Sequence, residues 1–406
     1  MSITNPFKPG AGHSPPYLAG RNAEKEVFSR LLQQRVILNN LIVTGLRGVG
    51  KTVLLEEFKP IAQKAEWVWA GTEFSESTSI NEETLALRFI TDLAPFTSHI
   101  TVNETRRVGF SEEFKEHQLT YFGLCQMYKA APGLVADKLK FLLRFIWECI
   151  KDTQVKGVVF AYDEAQTMSD HAEKDQYPLS LLLDVFQSIQ KSNIPFMLVL
   201  AGLPTLFPKL VEARTFAERM FQIQLLNKLD EKDSRDAITK PIIQSKSTVT
   251  FSEDTIRLIT NTSGGYPFFI QFICKELFDV FLQQLQSHGK TTPVPMREII
   301  RKLDRDFFAG RWARATDRQR QLLSVIANLE NCDEEFTVQE IVLAAKSLQK
   351  PFSPSHVNQL LGALTEAGLI YKNRYGKYAF AVPLLGQFIK RQEQDLAQVP
   401  LPGFDN

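Results

Sequence analysis

Two short stretches of this sequence combine residue types that can do phosphate chemistry. In the first, Gly45 and Gly50 bracket four residues and Lys51-Thr52 follow at once, the spacing of a phosphate-binding loop. Glycines let backbone N–H groups close around an anion with no Cβ in the way, and the start of a helix behind them adds partial positive charge. Lys51 is expected at the β- and γ-phosphates and the Thr52 hydroxyl on Mg²⁺. Gly45, Arg47, Gly48, Val49, Gly50 and Val53 complete the expected nucleotide contacts. The second stretch is Asp163-Glu164, two acids closing an apolar run. Asp163 is expected to hold Mg²⁺ through its water shell, and Glu164 to polarise the attacking water as general base.

These residues need elements to hold them. Leu41 to Val43 read as a strand entering the loop, and Val53, Leu54, Leu55 and Phe58 as the apolar face of the helix leaving it. Gly157 to Ala161 read as a central parallel strand that carries the two acids at its C-terminal edge. Further strands are expected at 66–70 and 195–201, with helices at 82–93, 134–150 and 176–191. Residues 95–133 mix aromatic and polar types and read as an insertion or a helical hairpin at the sheet edge.

At 406 residues the chain is expected to hold two or three domains. With 44% hydrophobic and 23% charged residues it has the composition of a soluble globular protein. No run of 18 or more apolar residues and no secretory leader pattern is present, so a cytoplasmic location without membrane contact is expected. The four cysteines, with no C-x-x-C spacing, argue against a disulfide framework or a zinc site. A net charge of +1 leaves nucleic-acid binding to a local basic patch.

Gly20-Arg21 lies ahead of Thr44-Gly45-Leu46-Arg47-Gly48-Val49-Gly50-Lys51-Thr52. With that order the sequence resembles the AAA+ and STAND-type P-loop ATPases, archaeal initiator-like ATPases among them. Asp163-Glu164 resembles the second acidic element of the additional-strand group. The resemblance implies a three-layer α/β P-loop NTPase fold with a parallel sheet, a helical lid, ATP and Mg²⁺ as cofactors, and hydrolysis of ATP. It implies that Gly20 and Arg21 fold over the adenine. It also implies a polar γ-phosphate sensor at the end of the 195–201 strand, where only Thr205 is polar, and an arginine finger before the next strand. Arg214 and Arg219 both qualify by position, and Arg219 is favoured, acting in its own site or a neighbour's. That last alternative leaves a homo-oligomer open. In the lid the usual arginine is replaced by Gly265-Tyr266-Pro267, a STAND-type signature that implies an approach of Tyr266 and Pro267 to the nucleotide.

The expected domains are an irregular lead-in at 1–16, the ATPase domain at 17–228, a lid at 229–290, a basic linker helix at 291–315, a winged helix at 316–395 and a tail at 396–406. Between Arg297 and Arg320 eight basic residues face four acidic ones. The third C-terminal helix offers Ser355, His356, Asn358 and Gln359 but no Lys or Arg, and the turn after it carries Lys372, Arg374 and Lys377. Two partner classes follow. Either the basic linker and wing hold double-stranded DNA, as for an initiator-type regulator or loader, or the winged helix docks a protein, as for a STAND-like switch.

Overall fold

The apolar runs beside the loop and the two acids become strands of one sheet. In the computed structural model the described residues are 4–10, 12–108, 111–288, 294–374 and 376–398. Residues 1–3 and 11 of the lead-in, 289–293 where lid and basic linker meet, the side chain of Arg374 and the tail from 399 onward lie outside them. Over the described residues the chain divides into two compact units, one of Arg21–Gly45 with Lys51–Leu226, the other of Met1–Gly20, Leu46–Gly50 and Asn227–Asn406.

The first unit holds β1 (Asn40–Gly45) and β2 (Trp67–Ala70), an antiparallel pair β3 (Thr101–Val108) and β4 (Ser111–Gln118), then β5 (Gly157–Tyr162), β6 (Phe196–Gly202) and β7 (Phe221–Leu226). Five of them form one parallel sheet in the order β2-β5-β6-β1-β7. The additional strand β6 therefore separates β1, which enters the loop, from β5, which carries the acids. Among the described residues of this unit the α-helices are α1 (Asn22–Leu31), α2 (Lys51–Lys64), α3 (Glu82–Thr97), α4 (Tyr121–Ala130), α5 (Val135–Ile150), α6 (Pro178–Lys191), α7 (Leu206–Ala213) and α8 (Ala217–Met220). Ile42, Val158, Phe160 and Leu198 share a core with Phe89 of α3, Leu142 of α5 and Phe186 of α6. Their strand neighbours Leu41, Val43, Val159 and Val199 point the other way and are equally buried. Phe28 of α1 stacks on Phe58 of α2 at 4.3 Å and meets Trp69 of β2 edge-on at 6.3 Å. Burial on both faces explains why these strands read as continuous apolar runs. Within 95–133 the structure has the β3–β4 pair followed by α4, not two helices.

In the second unit α9 (Glu231–Ser245), α10 (Glu253–Ser263) and α11 (Pro267–His288) form the lid. Asp230 and Ser252 cap α9 and α10 through their side chains. Ile238, Ile259, Ile273 and Phe278 share the lid core with Phe7. Phe7 is 2% exposed and stacks on Phe251 at 6.3 Å. The lead-in, expected to have little core of its own, thus adds a buried ring to the lid, a contribution of about 1.5–3 kcal/mol. Next come α12 (Met296–Leu303), a π-helical turn at 304–308 and α13 (Ala309–Trp312). Ile299 joins the lid core and Phe308 the C-terminal core, so this basic stretch is packed on both sides. The chain continues through α14 (Asp317–Ala327), α15 (Val338–Ala344), α16 (Pro354–Glu366), an antiparallel ribbon of β8 (Ile370–Arg374) and β9 (Lys377–Phe380), and α17 (Leu385–Gln398). Thr316, Thr337 and Ser353 cap the three helices before the ribbon.

Candidate nucleotide site

The loop after β1 has the backbone its sequence calls for. Gly48 and Gly50 take positive φ angles of 78° and 93°, where a side chain would be strained. Helix α2 begins at Lys51 with no acid of its own in the first turn to oppose its positive end. Lys51 is 7% exposed, and its ammonium donates to the Gly45 carbonyl at 2.9 Å. Val49 is buried and Val53 half-buried. The Thr52 hydroxyl donates to Asp163 Oδ2 at 2.5 Å. The other oxygen, Asp163 Oδ1, accepts the Glu164 N–H at 2.8 Å. Asp163 is itself fixed by main-chain bonds, its N–H to Thr72 O at 3.0 Å and its carbonyl to Phe74 N at 2.9 Å.

Glu164 sits in the left-handed region, φ 50° and ψ 31°, without being glycine. Such a conformation costs about 1–3 kcal/mol and persists where surroundings enforce it. Here the Glu164 carbonyl accepts both the N–H and the hydroxyl of Thr167, at 3.0 and 2.9 Å. The turn ends the course of β5, and the Glu164 side chain meets the amide of Gln166 two residues on.

These groups fit a nucleotide with its magnesium ion. A hydroxyl and a carboxylate already in contact are hard oxygen donors, and Mg²⁺ is held by one or two such groups together with water and phosphate oxygens. Among the described residues no cluster of three His, Cys, Asp or Glu side chains forms a cage of the kind a protein-only metal site would need.

The remaining predicted residues are placed differently. Arg214 is committed to Asp184, with two bonds of 2.9 and 2.7 Å, and to Ser180 Oγ at 2.8 Å. Its bond to Asp184 raises its pKa above the usual guanidinium value. Arg219, on α8 just ahead of β7, is exposed and its guanidinium pairs with no acid among the described residues. Thr205 does not end β6; it stands three residues beyond Gly202, before α7. Arg21 is 5% exposed and pairs with Glu24 at 3.4 Å. Gly20 has φ 63°, and a Cβ there would lie 2.4 Å from the Asp233 carboxylate of α9, so its backbone is packed against the lid. Arg47 is exposed, with its guanidinium 3.7 Å from where a Cβ on Gly368 would stand. Pro267 opens α11, and it is the next residue, Phe268, whose N–H donates to Gly48 O at 3.1 Å. Tyr266 instead packs against the C-terminal core, and burial raises its pKa.

A family model described as a domain of unknown function (DUF8462) matches residues 305–389. No curated protein matches the chain. Among solved structures the chain is similar to the Walker-type ATPase of Pyrococcus abyssi, at 15% identity over 92% of this chain and 96% of that one, with a TM-score of 0.56. It is also similar to the ORC2 protein of Aeropyrum pernix in its ADP form, at 14% identity over 97% and 98% of the two chains and a TM-score of 0.54. The chain has the AAA+ P-loop ATPase fold. In that AAA+ fold β6 is the strand expected to present a polar sensor, and it offers none: its last residues are Ala201 and Gly202. The polar group at its end is Gln166, whose Oε1 accepts the Leu203 N–H at 2.9 Å. Sequence reasoning passed over Gln166, although an amide two positions after the candidate base was a readable signal. Among the described residues no helix is long and apolar enough to cross a membrane.

Proposed function

We propose that the protein binds ATP with Mg²⁺ and hydrolyses it to ADP and phosphate, with Lys51, Thr52, Asp163 and Glu164 as the working groups. One observation carries the reading: Thr52 and Asp163, 111 residues apart, meet at 2.5 Å with Lys51 and Glu164 as their chain neighbours. Lys51 exchanges the Gly45 carbonyl for the β- and γ-phosphates, a charge-assisted pair in place of a neutral acceptor. Thr52 and Asp163 hold the ion, which when bound neutralises phosphate charge. Glu164 accepts the proton of the attacking water. Arg219, exposed and with no acid partner among the described residues, is the arginine finger, acting in its own site or in a neighbouring subunit's.

The reaction serves a nucleotide-dependent regulator or loader on DNA. Its C-terminal helices and β8–β9 ribbon form a winged helix whose α16 exposes Ser355, Asn358 and Gln359, while exposed Arg297, Arg301, Arg314 and Lys372 meet phosphates. The test is the ATPase rate with and without duplex DNA over a salt series. Stimulation that fades as salt rises supports this role, and an indifferent rate removes it. A second reading, a STAND-like ATP/ADP switch that docks a protein, is favoured by the intramolecular partners that occupy much of the basic stretch: Lys302 pairs with Glu276 at 2.7 Å, and Arg318 stacks on Phe352 at 3.7 Å.

A further inference from the structure

Gln166 lies on the single 3-10 turn Ala165–Thr167 that follows Glu164. Its amide has two partners with opposite requirements. On one side Oε1 accepts the Leu203 N–H at 2.9 Å, just past the end of β6. On the other, Nε2 donates to Glu164 Oε2. A backbone N–H can only donate and an ionised carboxylate can only accept, so the two ends fix which way the amide points. A side chain that both accepts and donates at this reach, without charge, is an amide. A carboxylate at position 166 would face Glu164 with like charge, and an aliphatic chain would leave the Leu203 N–H without its partner.

Two features hold the amide there. Gly202 leaves the space: a Cβ on it would lie 2.6 Å from Gln166 Oε1. Lys209 of α7 anchors the turn, donating to the Gln166 carbonyl at 2.8 Å and to Ser169 Oγ at 3.2 Å. Burial lowers the pKa of Lys209, as expected for an ammonium drawn inward to a structural role.

We propose that Gln166 is the positioning residue for Glu164, tying the general base to the end of β6, where the polar residue expected of that strand is missing. The inference rests on the reading of Glu164 as the base. With Oε2 held by the amide, Oε1 has no other hydrogen bond among the described residues and is left to receive the proton from water. A donor fixed on one oxygen keeps the carboxylate oriented between turnovers.

The test uses the full chain carrying Gln166→Ala, Gln166→Glu or Gly202→Ala. Removing an outer-shell partner of this kind lowers activity by roughly 10-fold or more. We expect that fall in kcat for Gln166→Ala and Gly202→Ala, with KM for ATP unchanged. The double variant should fall no further than either single one, because both act on the same hydrogen bond. Gln166→Glu, which cannot donate to Glu164 and sets a second carboxylate against it, should lose at least as much kcat as Gln166→Ala. Wild-type kcat in folded Gln166→Ala, beside an inactive Glu164→Gln, overturns this inference alone. Loss of ATP affinity equal to the loss of kcat also overturns it, as a general disturbance of the fold. Wild-type turnover in Glu164→Gln overturns the reading of the base, and this inference with it.

Discussion

The Lys51, Thr52 and Asp163 group of the sheet unit and the basic stretch of the second unit are both rich in charge, and they handle it in opposite ways. Lys51 rests on a main-chain carbonyl and Thr52 on Asp163, partners that a phosphate and its cation can replace. Between 297 and 320 the ionic groups are mostly engaged by fixed partners. Asp304 takes two bonds from Arg391 at 2.8 and 2.6 Å, Lys302 pairs with Glu276, and Arg311 lies 4.4 Å over Phe307. Eight basic residues against four acids look like a binding stripe in one dimension. In three dimensions only Arg297, Arg301 and Arg314 are exposed without a partner among the described residues. A count of charges says how many are present; the partners say how many remain for a ligand.

The comparison breaks most readily at Lys51. Lys51→Ala should lower ATP affinity by about 2–5 kcal/mol, the cost of truncating a buried charge opposite its partner, while far-UV circular dichroism stays unchanged. Calorimetric titration with ATP and Mg²⁺ reads this, and wild-type affinity in a folded variant would remove the nucleotide site. Arg219→Ala should cost roughly 10³-fold in kcat if Arg219 is a finger. Acting in a neighbour's site, it makes activity per subunit rise with protein concentration, and mixing Arg219→Ala with Glu164→Gln subunits restores turnover. An unchanged kcat in Arg219→Ala returns this residue to the surface.

Glu164→Gln should keep ATP and Mg²⁺ binding and lose about 10²-fold in hydrolysis, since an amide keeps the shape but accepts no proton from water. Asp304→Ala sharpens the other half of the comparison. It leaves Arg391 half-buried without its carboxylate, so urea unfolding should show a loss of about 1–3 kcal/mol with ATP turnover per folded molecule unchanged. A fall in turnover without a fall in stability would give the basic stretch a part in the site. The smallest effect is expected from Arg297→Ala with Arg301→Ala. If DNA is the partner, the log–log salt slope of binding should drop by about 1 for each phosphate that is no longer neutralised, with little change at high salt. An unaltered slope assigns both arginines to the solvated surface.

The sequence alone determined the glycine-rich turn ahead of α2, the acids at the end of β5 and the caps at Asp230, Ser252 and Ser353. Each is set by local chemistry: glycines where the backbone turns back, acids at the edge of a buried strand, and a side-chain oxygen before a helix. It left open what depends on contacts between distant residues. The antiparallel pair β3–β4 within 95–133 is held by pairing across the strands, which periodicity in one strand does not record. Phe7 was legible only as one ring in a proline- and glycine-rich stretch, because the core that buries it comes from α9 to α11. Arg214 and Arg219 were equivalent by position, and Asp184, thirty residues upstream of Arg214, separated them. Gln166 was visible as a residue type, but its hold on both Glu164 and Leu203 exists only because the parallel pairing of β5 and β6 brings their C-terminal ends side by side.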